Sequence, residues 1–161
     1  MTPTGALVLL ADQDRRLWNR DLIAEGHAIV RRCLRRDEPG PYQIQAAINA
    51  VHCDAATASA TDWRQILLLY DHLMTIAPSP IVALNRAVAV AELEGPEAGL
   101  RIVDTLDLED YHVFHAVRAD LLRRMGLIAD AAIAYAAAIA RTGNAVERDF
   151  LAHARETLNA F

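Results

Sequence analysis

Three dipeptides that end in proline mark positions where helices begin in this sequence. They are Gly40-Pro41, Ser79-Pro80 and Gly95-Pro96. Proline suits the first position of a helix because the N–H that it lacks would have no intrahelical partner there. The segments between these marks are rich in alanine, the residue with the highest helix propensity, and the chain contains 31 alanines. We predict an all-α protein whose helices lie near residues 19–36, 41–54, 62–77, 80–93, 96–106, 110–125, 127–141 and 145–159.

Further signals refine the predicted helix ends. Thr61 precedes Trp63 and is the predicted N-cap of that helix, since its hydroxyl can accept a free backbone N–H of the first turn. Asn144 followed by Glu147 resembles a capping box, in which two side chains satisfy each other's backbone N–H groups. Residues 5–18 show no helical pattern, and we predict an extended stretch followed by a turn there.

An internal repeat occupies the C-terminal part of the sequence. Tyr135 follows Ala131 by four residues, and Gly126 lies in the turn before them, as in the second half of a tetratricopeptide (TPR) unit. Gly95 marks a corresponding turn 31 residues before Gly126. One helix pair of this kind cannot bury its apolar faces alone, so neighbouring pairs stack and share a core.

The repeat and a small-residue linker divide the chain. Segment 55–61 contains only alanine, serine and threonine and is the predicted boundary. We predict that residues 1–60 form an N-terminal segment and a helical hairpin packing on the repeats. We predict that residues 61–161 form TPR-like helical repeats with a C-terminal capping helix. The predicted fold is thus all-α, a TPR-like right-handed α-solenoid of helical hairpins preceded by an N-terminal helical subdomain.

Composition restricts the class of protein. Apolar residues make up 53% of the chain and charged residues 23%, a balance that favours a buried core over disorder. The net charge of −5 argues against nucleic-acid binding by the whole chain. Cys33 and Cys53 are too few for a disulfide framework, so we expect reduced thiols in a cytoplasmic protein. The apolar run 6–11 is too short to span a bilayer, and we expect no membrane partner.

No pattern in the sequence indicates catalysis or a bound cofactor. It has no glycine-rich phosphate loop, nucleophile elbow or HExxH motif. Asp12 and Asp14 could form a carboxylate pair, but aspartates on a turn before a helix more often cap backbone N–H groups. His112 and His115 are three residues apart on one predicted helix, yet a metal site needs three or four converging ligands. We therefore expect no catalytic residue, no cofactor and no metal site.

One set of polar residues is a candidate partner groove. First-of-pair helices line the inner groove of a TPR solenoid, and polar side chains there are the usual means of recognising a peptide. The candidate partner-groove residues are Asn85, Arg86, Glu92, His112, His115, Arg118 and Asp120. Asn85 and Arg86 interrupt an otherwise apolar helix and must find polar partners, which lie either inside the fold or on a ligand.

A second set is basic. All 16 basic residues of the chain are arginine, and the densest group lies in its N-terminal quarter. The candidate basic docking face comprises Arg31, Arg32, Arg35 and Arg36, which form i,i+4 pairs on one predicted helix. The sequence leaves three interpretations open: a solvated face with salt bridges, a docking site for another protein, or a non-specific nucleic-acid contact.

Five strings of residues in this sequence are long and ordered enough to be characteristic. They are Asp12–Trp18, Gly40–Ile48, Thr61–Trp63, Ala77–Ala89 and His115–Gly126. In this order they resemble the C-terminal extension of one group of bacterial ECF sigma factors, the alternative sigma subunits of RNA polymerase that carry a TPR-like domain after their promoter-reading part. The resemblance covers nearly the whole chain.

This resemblance implies a non-enzymatic regulatory domain. Such a domain would modulate transcription initiation through contacts with RNA polymerase, the sigma core or a regulator, and a small DGPF-type protein is an implied partner. Nothing in this sequence corresponds to the two helical domains that bind promoter DNA, so the resemblance implies promoter contact only through N-terminal domains that this sequence lacks. Two other functions stay open: a small-ligand-sensing helical domain and a free-standing TPR adaptor.

Overall fold

A computed structural model gives the fold and describes residues 7–35 and 39–159. In these two ranges the chain is all-helical and contains no strand. The described α-helices are α1 (Arg20–Leu34), α2 (Pro41–Asp54), α3 (Trp63–Ile76), α4 (Pro80–Glu94), α5 (Pro96–Val103), α6 (His112–Arg124), α7 (Ile128–Arg141) and α8 (Ala145–Glu156). Every predicted helix is therefore confirmed. The largest differences are at the ends of α5 and α8, which stop three residues before the predicted ends.

The helix starts follow the sequence signals in most cases. Pro41, Pro80 and Pro96 are each the first residue of a helix. Thr61, however, is not the N-cap of α3. That helix begins one residue later than predicted, and the Asp62 carboxylate accepts the Gln65 N–H at 2.9 Å while Thr61 is buried.

The predicted capping box at α8 is half correct. Asn144 is the N-cap, and its side-chain oxygen accepts the N–H groups of Val146 and Glu147. The reciprocal bond is absent because the buried Thr142 hydroxyl takes its place. That hydroxyl accepts the Asn144 N–H at 3.2 Å and donates to the Glu147 carboxylate at 2.9 Å.

The segment before α1 is irregular. Of the predicted extended stretch, residues 5 and 6 lie outside the described part, and Leu9 has extended backbone angles. Two short 3-10 turns follow, Leu10–Asp12 and Arg15–Leu17. Asp14 caps the second turn by accepting the Arg16 N–H, as predicted for an aspartate in this position. Among the described helices, none is both long enough and apolar enough to cross a membrane.

The chain divides into two compact units. The N-terminal unit comprises Leu9–Val82, and the C-terminal unit comprises Ala83 onward together with the described Leu7 and Val8. The boundary predicted after residue 60 therefore falls inside the N-terminal unit, in which α1 packs on α2 and α2 on α3. The packing of residues 1–60 on the repeats stays a prediction.

The core of the C-terminal unit is a single apolar cluster built by consecutive helices. Helix α6 packs on α5 and α7, and α7 packs on α8. The repeat residues Ala131 and Tyr135 are buried in this cluster, as the repeat pattern predicts. Gly95 and Gly126 have φ of +96° and +76°, a left-handed conformation that glycine adopts without a Cβ penalty, and each ends one helix and precedes the next.

Glycine also permits a close helix approach in this unit. A Cβ added to Gly99 of α5 would lie 2.6 Å from the Ala91 Cβ and 2.8 Å from the Ala87 carbonyl oxygen of α4. These distances leave no room for any side chain. The α4–α5 hairpin therefore depends on glycine at this position.

Candidate partner-binding site

The predicted partner-groove residues on α6 are mostly engaged with neighbouring helices. Arg118 donates to the Asp104 carboxylate at the end of α5, at 2.8 Å. Asp120 accepts from Arg123 one turn further on, at 2.7 Å. These are partly exposed ion pairs within the C-terminal unit. A ligand that used these groups would have to displace their present partners.

The two histidines of this set have partners as well. His112 Nε2 lies 3.1 Å from the Glu147 carboxylate of α8. His115 Nε2 lies 2.7 Å from the carbonyl oxygen of Glu109, and since a carbonyl only accepts, this nitrogen donates. In the residues that the structure describes, no three histidine, cysteine, aspartate or glutamate side chains are grouped so as to hold a metal ion.

Residues on α4 complete the predicted groove set. Glu92 accepts from Arg124 of α6 at 2.6 Å, and Arg124 also donates to the Ala91 carbonyl oxygen at 3.4 Å. Sequence reasoning missed Arg124, because its role depends on hydrogen bonds to residues more than 30 positions away at the end of α4. Asn85 is exposed and Arg86 is half-buried. The structure does not test whether this set binds a partner, so the groove stays a prediction.

Arg15, the first arginine of the dense group in the N-terminal quarter of the chain, has a structural role. Arg15 is only 7% exposed, although it carries a charge. Its guanidinium donates to the carbonyl oxygens of His52, at 2.7 Å, and Ala55, both at the C-terminal end of α2. Its central carbon lies 4.8 Å from the Trp18 ring centroid, within reach of a cation–π contact. Burial, assisted by the Arg15 charge, lowers the pKa of His52 below its usual value.

The next arginine has a local partner. Arg16 donates hydrogen bonds from Nε and Nη2 to the Asp14 carboxylate, and the shorter of the two, from Nη2, is 2.7 Å. These hydrogen bonds lower the pKa of Asp14 to about 2. The pair is exposed, so it organises the turn before α1 and adds little to stability.

The end of α1 is different. Arg31, Arg32 and Arg35 are exposed, and within residues 7–35 and 39–159 none of the three side chains has a hydrogen-bond or ion-pair partner. Arg36, the fourth residue of the predicted docking face, lies outside the described residues. We refer to Arg31, Arg32 and Arg35 as the basic end of α1.

An open apolar groove lies between α1 and α2, in the same unit as the basic end of α1. Its volume is about 410 Å³. Its walls include Leu22, Gly26 and Ile29 from α1 and Ala46, Asn49 and Cys53 from α2. We refer to this feature as the α1–α2 groove. Sequence reasoning did not identify it, although the apolar spacing of four and three residues along α1 was a usable signal.

Exposed apolar side chains surround the groove. Two lining side chains of α1, Leu22 and Ile29, are 63% and 44% exposed. The polar lining groups are few. His27 is one of them, but its Nδ1 lies 3.3 Å from the Asp54 carboxylate and its Nε2 is buried without a hydrogen-bond partner. The rest of the lining is apolar except for Asn49, so the groove is suited to a mainly apolar guest with a polar group that can reach His27 Nε2.

The sequence is similar to that of a known bacterial protein. The protein is 48% identical over 149 residues to a protein of Rhizobium meliloti (strain 1021) described as "Uncharacterized protein R00370". The match covers 91% of this chain and 35% of the relative, so this chain spans about a third of the relative's length. No family model matches the sequence, and no solved structure matches it.

Proposed function

We propose that this chain is a non-enzymatic protein-interaction domain that acts as the regulatory C-terminal extension of an ECF sigma factor. It modulates transcription initiation by contacts with RNA polymerase or the sigma core. The observation that carries the interaction role is the open apolar α1–α2 groove, whose lining side chains Leu22 and Ile29 are exposed. Exposed apolar groups rimmed by polar residues are typical of protein-binding surfaces, and arginine is enriched in them.

The fold that we propose is a TPR-like right-handed solenoid. Helices α4 and α6 begin at Pro80 and His112, and helices α5 and α7 begin at Pro96 and Ile128, so both pairs repeat after 32 residues. This period is close to the 34 residues of a TPR unit. The left-handed glycines at the two turns and the close α4–α5 contact at Gly99 support the same assignment.

The sigma-factor assignment is supported by the five ordered strings. They fall on structurally defined positions: Gly40–Ile48 opens α2, Ala77–Ala89 contains the start of α4, and His115–Gly126 covers most of α6 and its turn. The relative from Rhizobium meliloti extends well beyond the matched region, which leaves length for further domains in that protein. Promoter-reading domains of a sigma factor would occupy such additional length.

A binding assay tests this proposal. The purified chain is mixed with RNA polymerase core enzyme, and separately with the sigma core of an ECF sigma factor that carries this extension, and affinity is measured by biolayer interferometry. We expect binding to at least one of them at moderate salt. Replacing Arg32 and Arg35 with alanine removes two exposed charges of the basic end of α1, each worth about 0.5–1 kcal/mol in binding, so affinity should fall roughly tenfold.

A matched control separates local from overall charge. Arg64→Ala with Arg155→Ala also removes two exposed arginines, from α3 and α8, and should leave the affinity unchanged. Binding to neither polymerase nor sigma core at moderate salt would contradict the proposed function. Equal losses in both double variants would show that net charge, and not the basic end of α1, drives binding.

A further inference from the structure

One polar atom of the α1–α2 groove lacks a hydrogen-bond partner. Among the residues that the structure describes, His27 Nε2 is a buried side-chain nitrogen to which no group donates and from which none accepts. Such atoms are uncommon in proteins, because burial removes the hydrogen bonds that water would make. His27 also lines the groove, and its side chain is 16% exposed. A molecule that enters the groove can therefore supply the partner that this atom lacks.

The position of Asp54 determines which group His27 can bind. The Asp54 carboxylate lies 3.3 Å from Nδ1, the other nitrogen of the ring. Since a carboxylate oxygen only accepts, this contact favours the tautomer that carries its proton on Nδ1. Nε2 then has a free lone pair and accepts a hydrogen bond. The group that satisfies Nε2 is therefore a donor, such as a hydroxyl.

The other lining groups favour a ligand without charge. None of the described lining residues is an arginine, an aspartate or a glutamate. The nearby Asp54 carboxylate and the net charge of −5 on the chain both disfavour an anion at this site. A neutral hydroxyl satisfies Nε2 without placing a second negative charge near Asp54.

The groove has the size and lining of a small-molecule site. Its volume of about 410 Å³ lies within the range of roughly 300–1,000 Å³ that is typical of ligand pockets, which are mostly apolar with a few placed polar groups. The α1 wall runs from Leu22 to Val30, about 12 Å at 1.5 Å per residue. Gly26 leaves further space, since a Cβ added there would meet nothing within 4 Å. A side chain as exposed as Leu22 changes rotamer within nanoseconds, so an entering molecule can displace it.

We propose that the α1–α2 groove binds a small neutral molecule that has an apolar body and one hydroxyl group, which donates a hydrogen bond to His27 Nε2. The apolar body packs between the α1 wall and Ala46, Ala50 and Cys53 of α2. The inference rests on the proposed function only for its consequence, which is that the bound molecule competes with a protein partner for the same groove. Binding of the molecule itself is measured on the chain alone.

Three para-substituted benzenes provide the probes. They are 4-propylphenol, whose hydroxyl can donate, 4-propylanisole, whose ether oxygen cannot, and 4-propylbenzoate, which is an anion. NMR titration of the ¹⁵N-labelled chain should give a Kd on the order of 100 µM for the phenol, a reasonable value for a ligand of about ten heavy atoms. The anisole and the benzoate should each bind about tenfold more weakly, because neither can donate to Nε2. On addition of the phenol, the Nε2 resonance of His27 should move and that of the exposed His72 on α3 should not.

Variants locate the binding. His27→Phe keeps an aromatic ring but removes Nε2, so it should bind the phenol about tenfold more weakly and the anisole as the wild type does. His72→Phe is the matched control and should change neither affinity. Gly26→Leu fills the open space and should weaken all three probes at least about tenfold, whereas Ala28→Leu adds the same side chain at an exposed position outside the lining and should change nothing. Circular dichroism verifies folding, and if His27→Phe does not fold, the Nε2 resonance of the wild type decides.

The outcomes distinguish this inference from the proposed function. Equal affinities for the phenol and the anisole, an unmoved His27 resonance, or equal binding of the phenol to His27→Phe would overturn the inference. It is also wrong if the chain dimerises in analytical ultracentrifugation and the phenol neither binds nor shifts that equilibrium, because a second copy then covers the groove. If RNA polymerase or the sigma core binds and no probe does, the ligand site is wrong and the proposed function stands. If the phenol binds at His27 and neither polymerase nor sigma core binds, the ligand site is correct and the proposed function is wrong.

Discussion

The two units of this protein use arginine in different ways. In the C-terminal unit, Arg118, Arg123 and Arg124 of α6 each hold a carboxylate of α4, α6 or the end of α5. In the N-terminal unit, one arginine is buried against backbone carbonyls, and the basic end of α1 is exposed without partners in the described residues. In a chain whose only basic residue apart from histidine is arginine, residue type therefore says nothing about role. What distinguishes a structural arginine from a candidate binding residue is whether its guanidinium already has a partner within the fold.

The two units also differ in how closely their helices pack. In the C-terminal unit the α4–α5 contact at Gly99 leaves no space for a methyl group, whereas the α1–α2 groove of the N-terminal unit has open space at Gly26. Close packing stabilises a fold, and an open apolar groove lowers stability unless something fills it. We infer that the C-terminal unit serves mainly as scaffold and the N-terminal unit as binding surface.

The largest expected effect concerns the buried arginine. Arg15→Met keeps much of the side-chain volume but leaves the carbonyl oxygens of His52 and Ala55 without their charged donor. We expect a loss of about 3 kcal/mol in the free energy of unfolding, measured by urea denaturation. Arg16→Met is the matched control. Its guanidinium is exposed, and its removal should leave the urea midpoint unchanged. Equal midpoints for the two variants would mean that Arg15 is as dispensable as a surface arginine.

The second prediction compares two glycines that lie inside helices. Replacing each with alanine should change the free energy of unfolding in opposite directions. Gly99→Ala places a methyl group within 2.6 Å of Ala91, and we expect a loss of about 2 kcal/mol from overpacking. Gly26→Ala meets no atom within 4 Å, and we expect a gain of about 0.5–1 kcal/mol from helix propensity. Thermal denaturation of both variants measures the difference. A stabilising Gly99→Ala would show that α4 and α5 can separate, and the scaffold role of that unit would lose its main support.

Much of this fold could be predicted because its signals are local. Proline at the first helical position and the alanine-rich segments between such prolines act within one turn, so eight helices could be placed from the sequence. The two errors at helix starts have a common cause. Thr61 and Glu147 were assigned by spacing alone, but the chain places Asp62 at the actual helix start and uses the buried Thr142 as an alternative acceptor.

The binding surface could be predicted only in part. The basic end of α1 was visible as a dense run of arginine, yet the same run contains Arg15, whose partners lie 37 and 40 residues away. The predicted partner groove contains Glu92, which is paired with a residue 32 positions away on α6. Contacts between helices decide which charges are satisfied, and no local pattern in the sequence reports them.

The smallest expected effect tests the ion pairs of the C-terminal unit directly. A double-mutant cycle of Glu92→Ala and Arg124→Ala should give a coupling of about 0.5–1 kcal/mol in the free energy of unfolding, since the side chains are 31% and 27% exposed and the pair is partly screened. A second cycle with Glu94→Ala and Arg124→Ala should give no coupling, because Glu94 is an exposed residue of α4 and the ion-pair partners of Arg124 are Glu92 and Asp120. If the first cycle also gives none, Glu92 and Arg124 do not hold each other in solution. Both side chains would then be as available to a partner as the basic end of α1. The predicted partner groove would be as good a candidate binding surface as the α1–α2 groove.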